Sequence, residues 1–189
     1  MSSVASDDIA DRGGVSLEVA TAADHTLLSN LLELYIHDLS SAFPDIEMGQ
    51  DGRFGYGRLP LYWSEPDRRF AFLIKCDGRI AGFALARRGS PVMEDPNALD
   101  VEEFFVIRRH RRSGVGRRAA FLLWNRIPGV WTVRVSEGVP GARSFWSAVV
   151  GEFTSGAAIE SQRPGTPNPW RVFAFETGPG ALPPNAAST

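Results

Sequence analysis

Cysteine is nearly missing: Cys76 is the only one in 189 residues. A single thiol excludes an internal disulfide and a cysteine-ligated zinc cluster, and it suits a reducing compartment, so a cytoplasmic location is expected. Lysine is equally scarce. Lys75 stands alone among 20 basic side chains, the rest being arginine, so arginine clusters carry less meaning here than in an average chain. No run approaches the roughly 20 apolar residues that a membrane span needs, and no membrane partner is expected. The opening MSSVASDDIADRGG holds neither a basic nor an apolar segment, and no secretory leader is expected from it. The formal net charge of −2 gives no reason to expect nucleic acid as a partner. His25, His37 and His110 share no ligand spacing with carboxylates or with Cys76, so no metal is expected.

What is present describes one globular domain. The chain is 43% hydrophobic, and its length suits a single core. Residues 1–14 are small and polar, which predicts disorder, and 178–189 reads as a flexible tail. Between them, 15–177 is read as one folded unit. A first strand over 16–19 leads to a helix that Asp24 would cap, with Leu27, Leu28, Leu31, Leu32, Leu34 and Tyr35 at helical spacing. A Gly- and Asp-rich loop over 49–60 and a short helix near 61–63 follow. Strands over 70–75 and 80–87 flank Asp77-Gly78, a favoured hairpin turn. Further on, 131–135 reads as a strand, 142–150 as a helix, and 151–159 with 170–176 as a closing strand pair.

The most informative stretch is 101–126, VEEFFVIRRHRRSGVGRRAAFLLWNR. Its first seven residues have the aromatic and β-branched character of a buried strand. From Ser113 the pattern is helical, with Val115, Ala119, Leu122 and Leu123 on one face and Pro128-Gly129 as the stop. The turn between them holds four arginines and leads into Ser113-Gly114-Val115-Gly116. A strand that runs through such a turn into a helix N-terminus is suited to anions. The first helical amides lack internal partners, the helix dipole is positive there, and arginine adds bidentate donors. This reads as a diphosphate cradle, with Gly114 and Gly116 leaving the space that phosphates would need.

Arg111-x-x-Gly114-x-Gly116 resembles the Arg/Gln-x-x-Gly-x-Gly/Ala signature of the GNAT N-acetyltransferase superfamily. Glu102-Glu103-Phe104-Phe105-Val106 before it is similar to the Glu-Asp-Phe-Phe-Val run of the diamine acetyltransferases. The resemblance implies a single α/β domain with a mixed, mostly antiparallel sheet flanked by helices and splayed beside its central strand. It implies acetyl-coenzyme A as co-substrate, held through the main chain of Phe104, Phe105 and Val106 along the pantetheine arm. Arg111, Arg112, Ser113, Gly114, Val115, Gly116 and Arg117 would surround the diphosphate. The implied reaction is acetyl transfer to a primary amine of a small molecule or peptide, and many relatives pair, so a homodimer is expected.

By the same resemblance Glu102 takes the general-base position, with Glu103 the second candidate. Strand alternation would send the two to opposite faces. A carboxylate in an apolar strand must be paired or shift its pKa upward. One poised near neutral pH can take the proton of an ammonium substrate. The alternative is a structural Glu102, paired with an arginine such as Arg87 or Arg134. The acceptor pocket is expected around Tyr35, Asp38, Tyr56, Tyr62 and Trp63, where aromatics and carboxylates would suit a cationic amine. Two positions depart from the superfamily: Val139 stands where Asn is usual, and Trp146 where a Tyr protonates the leaving thiolate. An indole cannot give up its proton, which keeps open a non-catalytic acyl-coenzyme A sensor. Gly114-x-Gly116-x-x-Ala119 also matches a dinucleotide fingerprint, with Glu137 downstream, which would make the chain an NAD(P)-dependent oxidoreductase.

Overall fold

The structure, a computed structural model, describes residues 14–178. Apart from Gly14 and Gly178, the expectations for the two ends lie outside the described residues. In chain order the elements are β1 (Val15–Val19), α1 (His25–Ser40), α2 (Leu61–Ser64), β2 (Arg69–Cys76), β3 (Arg79–Arg88), β4 (Leu99–Val106), α3 (Val115–Arg126), β5 (Gly129–Ser136), α4 (Ala142–Phe153), β6 (Ile159–Arg163) and β7 (Trp170–Thr177). The strands form one sheet in the order β1-β2-β3-β4-β5-β7-β6. Only β4 and β5 run parallel; every other neighbouring pair is antiparallel. This is the expected mixed sheet. It excludes the dinucleotide reading, which needs a doubly wound parallel sheet.

Local chemistry explains most elements. Asp77 and Gly78 both take positive φ, 51° and 73°, the backbone that lets a two-residue turn follow the twist of β2 and β3. Leu28, Leu31, Leu32 and Ile36 put the buried stripe of α1 at helical spacing. Asp24 does not cap forward as expected: its carboxylate accepts from Thr21 N–H and Oγ, at 2.8 and 3.0 Å. The expected strand over 151–159 is a larger error. Instead α4 runs to Phe153, whose ring packs on Phe121 and Trp124 at 5.0 and 4.9 Å. Gly151 is tolerated inside the helix, which ends where Ser155 and Gly156 turn to positive φ.

The sheet separates two cores. Val101, Leu123, Trp124, Trp131 and Val133 belong to the face under α3 and α4, and Leu28, Leu32, Phe83, Leu85 and Phe105 to the face under α1 and α2. The parallel pair joins Leu99, Asp100 and Val101 to Trp131, Thr132 and Val133, and pairing stops there. Fully buried Asp100 fixes the end of the joint: its carboxylate accepts from Thr132 Oγ1 and Arg134 Nη2, both at 2.7 Å. Beyond it β5 follows β7 while β4 follows β3, opening the expected gap beside the central strand.

Candidate active site

Past Val101 the edge of β4 that faces β5 has no strand partner. The Ile107 N–H donates to Ala81 O at 2.8 Å, and the Phe105 carbonyl abuts Gly82, where a methyl would stand 1.9 Å from it. Alternation therefore turns the main-chain groups of Phe104 and Val106 toward the gap. Arg111 Nε already donates to the Val106 carbonyl at 2.7 Å. Of the three residues expected along a pantetheine arm, Phe104 offers both main-chain groups and Val106 its N–H. Phe105 is committed to β3, and its ring to the α1 face.

The turn after β4 is shaped by Arg112 and Gly114, at φ 62° and 83°. The Arg118 N–H donates to Gly114 O at 3.0 Å; the amides of Val115, Gly116 and Arg117 precede it and have no acceptor within the helix. A Cβ at Gly114 would meet nothing within 4 Å, so open space lies beside the turn. Gly116 has a different cause from the one expected. A Cβ there would stand 3.1 Å from the Phe145 ring, so this glycine lets α3 pack closely on α4. Ser113 Oγ donates to His110 O at 2.8 Å and the Val115 side chain is core, so both residues can serve an anion only through the main chain.

Arg112 and Arg117 border the groove. Arg117 also reaches Glu152 at 2.7 Å and lies over the Phe121 ring. Arg111, expected at the diphosphate, lines the same lobe and is also a brace: besides Val106 O, it holds Asp38 at 2.7 Å. Asp38 also takes Arg108 at 2.6 Å, which places it at the phosphate end of the groove rather than among acceptor contacts. Burial alone would raise the Asp38 pKa, but its bonds to Arg111 and Arg108 outweigh that and lower it. A depressed carboxylate pKa stabilises the fold above the unfolded value and ceases to do so as pH falls through the folded one. Both arginines are well exposed, so Asp38→Ala should cost only about 1 kcal/mol at pH 7. The deficit should shrink below about pH 4 in urea denaturation.

The groove has two connected lobes of about 550 and 600 Å³, which share Tyr35, Leu39, Phe104, Val139, Ala142 and Trp146. One contains the turn. The other contains both glutamates, and here the expectation of opposite faces fails. β3 pairs Leu85 with Glu103 and Ala86 with Val101, which leaves Glu102 as the extra residue of a β-bulge. The bulge puts both carboxylates on the α1 and α2 side. Glu102 Oε2 accepts from Tyr62 Oη at 2.7 Å and Arg69 Nη1 at 2.9 Å. Its Oε1 lies 3.2 Å from Arg58 Nη1 and 3.9 Å from Arg87 Nη1, with no hydrogen bond among the described residues. Arg134, the other partner considered for it, is held by Asp100.

Glu103 is surrounded differently. Tyr35 Oη donates to its Oε2 at 2.7 Å and Tyr56 Oη to its Oε1 at 3.1 Å, while the nearest guanidinium, Arg58, stands 3.9 Å away. Burial, aided by the Glu102 charge, raises its pKa against the lowering effect of the two phenols and Arg58. Burial above all, and then the neighbouring groups, pushes Tyr35, Tyr56 and Tyr62 above the usual phenol range, which keeps them as donors.

Of the residues expected to meet an acceptor, Tyr35 lines both lobes. Tyr56 and Tyr62 act behind the glutamates. Trp63 packs in the α1 and α2 core with its ring against His25 at 5.4 Å. Trp146 is buried among Phe104, Phe145 and Trp124, a wall of the groove. Arg58, from the Gly-rich loop, was missed because a lone loop arginine gives no periodic or motif signal. Glu137, read as a ribose ligand under the dinucleotide fingerprint, binds Arg171 at 2.8 Å.

A sheet parted beside its parallel pair, with an anion-suited turn at one end of the gap and carboxylates at the other, defines the GNAT class of acetyltransferase fold. Residues 28–124 match the Acetyltransferase (GNAT) family, and the chain belongs to it. No curated protein sequence matches it significantly. Among solved structures it is similar to a spermidine N-acetyltransferase from Vibrio cholerae in complex with coenzyme A and spermine, at 12% identity over 87% of this chain and 96% of that one, TM-score 0.58. It is similar also to a ribosomal α-N-protein acetyltransferase in complex with coenzyme A, at 13% identity over 89% and 97%, TM-score 0.62. A putative acetyltransferase from Salmonella typhimurium with acetyl-coenzyme A shares 15% identity over 92% and 99%, TM-score 0.57. At these identities the likeness is one of fold. Among the described residues no helix is long and apolar enough to cross a membrane, and no group of three or more potential ligands could hold a metal ion.

Proposed function

We propose that this protein moves an acetyl group from acetyl-coenzyme A to the primary amine of a small molecule or peptide by direct attack, with Glu103 as the proton acceptor. The observation that carries the reading is one groove, with unpaired α3 amides at one end and a largely buried carboxylate held by two phenols at the other. The coenzyme fits the residues present. The main-chain groups of Phe104, the Val106 N–H, the amides of Val115, Gly116 and Arg117, and the side chains of Arg112 and Arg117 are the groups that would hold it. When bound, it supplies a thioester-activated acetyl group. Glu103, directly or through a water, takes the proton that an ammonium must lose before its nitrogen can attack. The N–H groups of Phe104 and Val106 are the donors available to polarise the acetyl carbonyl.

Sequence alone ranked Glu102 first. The surroundings favour Glu103, because Glu102 is locked by Arg69 and Tyr62 while Glu103 is held only by neutral phenols at hydrogen-bond distance. With Trp146 in the usual Tyr position and Tyr35 held as a donor to Glu103, the thiolate leaves unaided; an ordinary thiol pKa of about 8.5 permits that. The sensor reading rests on the same substitution. Thermal shift with acetyl-coenzyme A, followed by free-thiol release with a panel of amines, tests both. Stabilisation of several degrees with steady turnover is expected. Stabilisation without turnover would establish the sensor, and no stabilisation would remove the coenzyme.

A further inference from the structure

The acceptor end of the groove is charge-balanced rather than acidic. Glu102, Glu103 and Asp45 line it, but so do Arg58, Arg87 and Arg134. Arg134 is taken by Asp100, and Arg69 stands behind Glu102. A polycationic amine would therefore meet guanidinium groups at the mouth, and no net negative field would draw it in.

Three atoms here are left incompletely used. Glu102 Oε1 belongs to a side chain only 3% exposed, yet it has no hydrogen-bond partner among the described residues. A buried carboxylate oxygen without a donor is costly, and a ligand ammonium would relieve it once the exposed Arg58 side chain, which now covers this oxygen, turns to the ligand. Arg58 Nη1 approaches it at 3.2 Å without hydrogen-bond alignment, from a side chain that is 56% exposed and otherwise lies over the Tyr56 ring. Arg87 gives Nε and Nη2 to Gly89 O at 3.1 and 2.6 Å, leaving Nη1 3.9 Å from the same oxygen. One acceptor and two forked donors thus converge on one small space beside Glu103. An ammonium group suits the first and a carboxylate suits the other two. Farther out, Phe43 and Trp170 lie 6.1 Å apart and, with Ile46 and Leu39, form an apolar wall.

Resting on the transferase reading, we propose that the acceptor is a free α-amino acid with an apolar or aromatic side chain. Its carboxylate is held by Arg58 and Arg87, its ammonium by Glu102 Oε1 beside Glu103, and its side chain by the Phe43 and Trp170 wall. One proton passes from the ammonium to Glu103, the freed nitrogen bonds to the acetyl carbon, and the C–S bond breaks with its electron pair on sulfur. The second proton that the nitrogen sheds in becoming an amide goes through water to that thiolate.

The test uses the full chain with acetyl-coenzyme A and four probes: phenylalanine, phenylalaninamide, phenethylamine and spermidine. Thiol release and the mass of the product are read. Phenylalanine should show a kcat/KM at least about 30-fold above phenethylamine and phenylalaninamide, because only it presents a carboxylate to the two arginines. Arg58→Gln should raise KM for phenylalanine about tenfold more than it changes KM for phenethylamine, which shares the glutamates but has no carboxylate to lose, with Arg58→Lys intermediate. Equal or faster turnover of phenethylamine, phenylalaninamide or spermidine would overturn the proposal while leaving the transferase intact. Failure of all four probes despite stabilisation by acetyl-coenzyme A would overturn the proposal and not the coenzyme site. Absence of that stabilisation would remove the transferase reading itself.

Discussion

Gly114→Val is expected to raise the dissociation constant for acetyl-coenzyme A about 100-fold or more while the protein remains folded. Gly114 sits at φ 83° as the residue before α3, a conformation that costs a non-glycine residue about 1–2 kcal/mol and a β-branched one more. Nothing lies within 4 Å of a Cβ placed there, so the substitution breaks no packing, and the chain can relieve the strain only by turning the loop. The turn aims the amides of Val115, Gly116 and Arg117. Each hydrogen bond they give a charged phosphate is worth about 1.5–3 kcal/mol. Misaiming one or two of them accounts for the loss. Calorimetric titration measures it directly, and the far-ultraviolet spectrum checks the fold. Wild-type affinity in this variant would mean that the coenzyme does not use the turn. Gly116→Val is not an equivalent test, because its side chain would strike Phe145 and disturb the α3 and α4 packing.

That contrast shows what could be read from the residues and what could not. The turn was legible because its causes are local: an apolar strand, a glycine able to take positive φ, and a helical stripe within 26 residues. The Asp77-Gly78 hairpin was legible for the same reason. Glu102 and Glu103 were found, but their directions were not. The bulge that puts them on one face comes from the register between β3 and β4, a long-range pairing that no neighbouring residue announces. The same holds for the loop before α2. Its composition marks it as a loop, yet only the folded chain brings Tyr56 and Arg58 from it onto Glu103. The extent of α4 was misjudged because Gly151 reads as a stop, whereas the burial of Val149 and Val150 and the packing of half-buried Phe153 hold the helix together across it.

Glu103→Gln should lower kcat by about 10²- to 10⁴-fold, the usual contribution of a positioned general base. It should leave the stabilisation by acetyl-coenzyme A unchanged, since the carboxylate lies in the other lobe of the groove from the turn. The pH profile makes the test specific. Burial raises the folded pKa of Glu103, and a base works only when ionised. Wild-type kcat should therefore fall as pH drops through that raised value, at a higher pH than an ordinary carboxylate of about 4.3 would give. The glutamine variant should lack this limb, because its remaining rate no longer waits on that ionisation. Glu102→Gln should behave otherwise. It weakens the hold on Arg69, Tyr62 and Arg58, so KM for the amine should rise while the acidic limb of kcat stays. If the limb disappears in Glu102→Gln and persists in Glu103→Gln, the two roles are exchanged. The bulge makes that outcome meaningful, since it offers both carboxylates to the same lobe and leaves their partners alone to decide which one takes the proton.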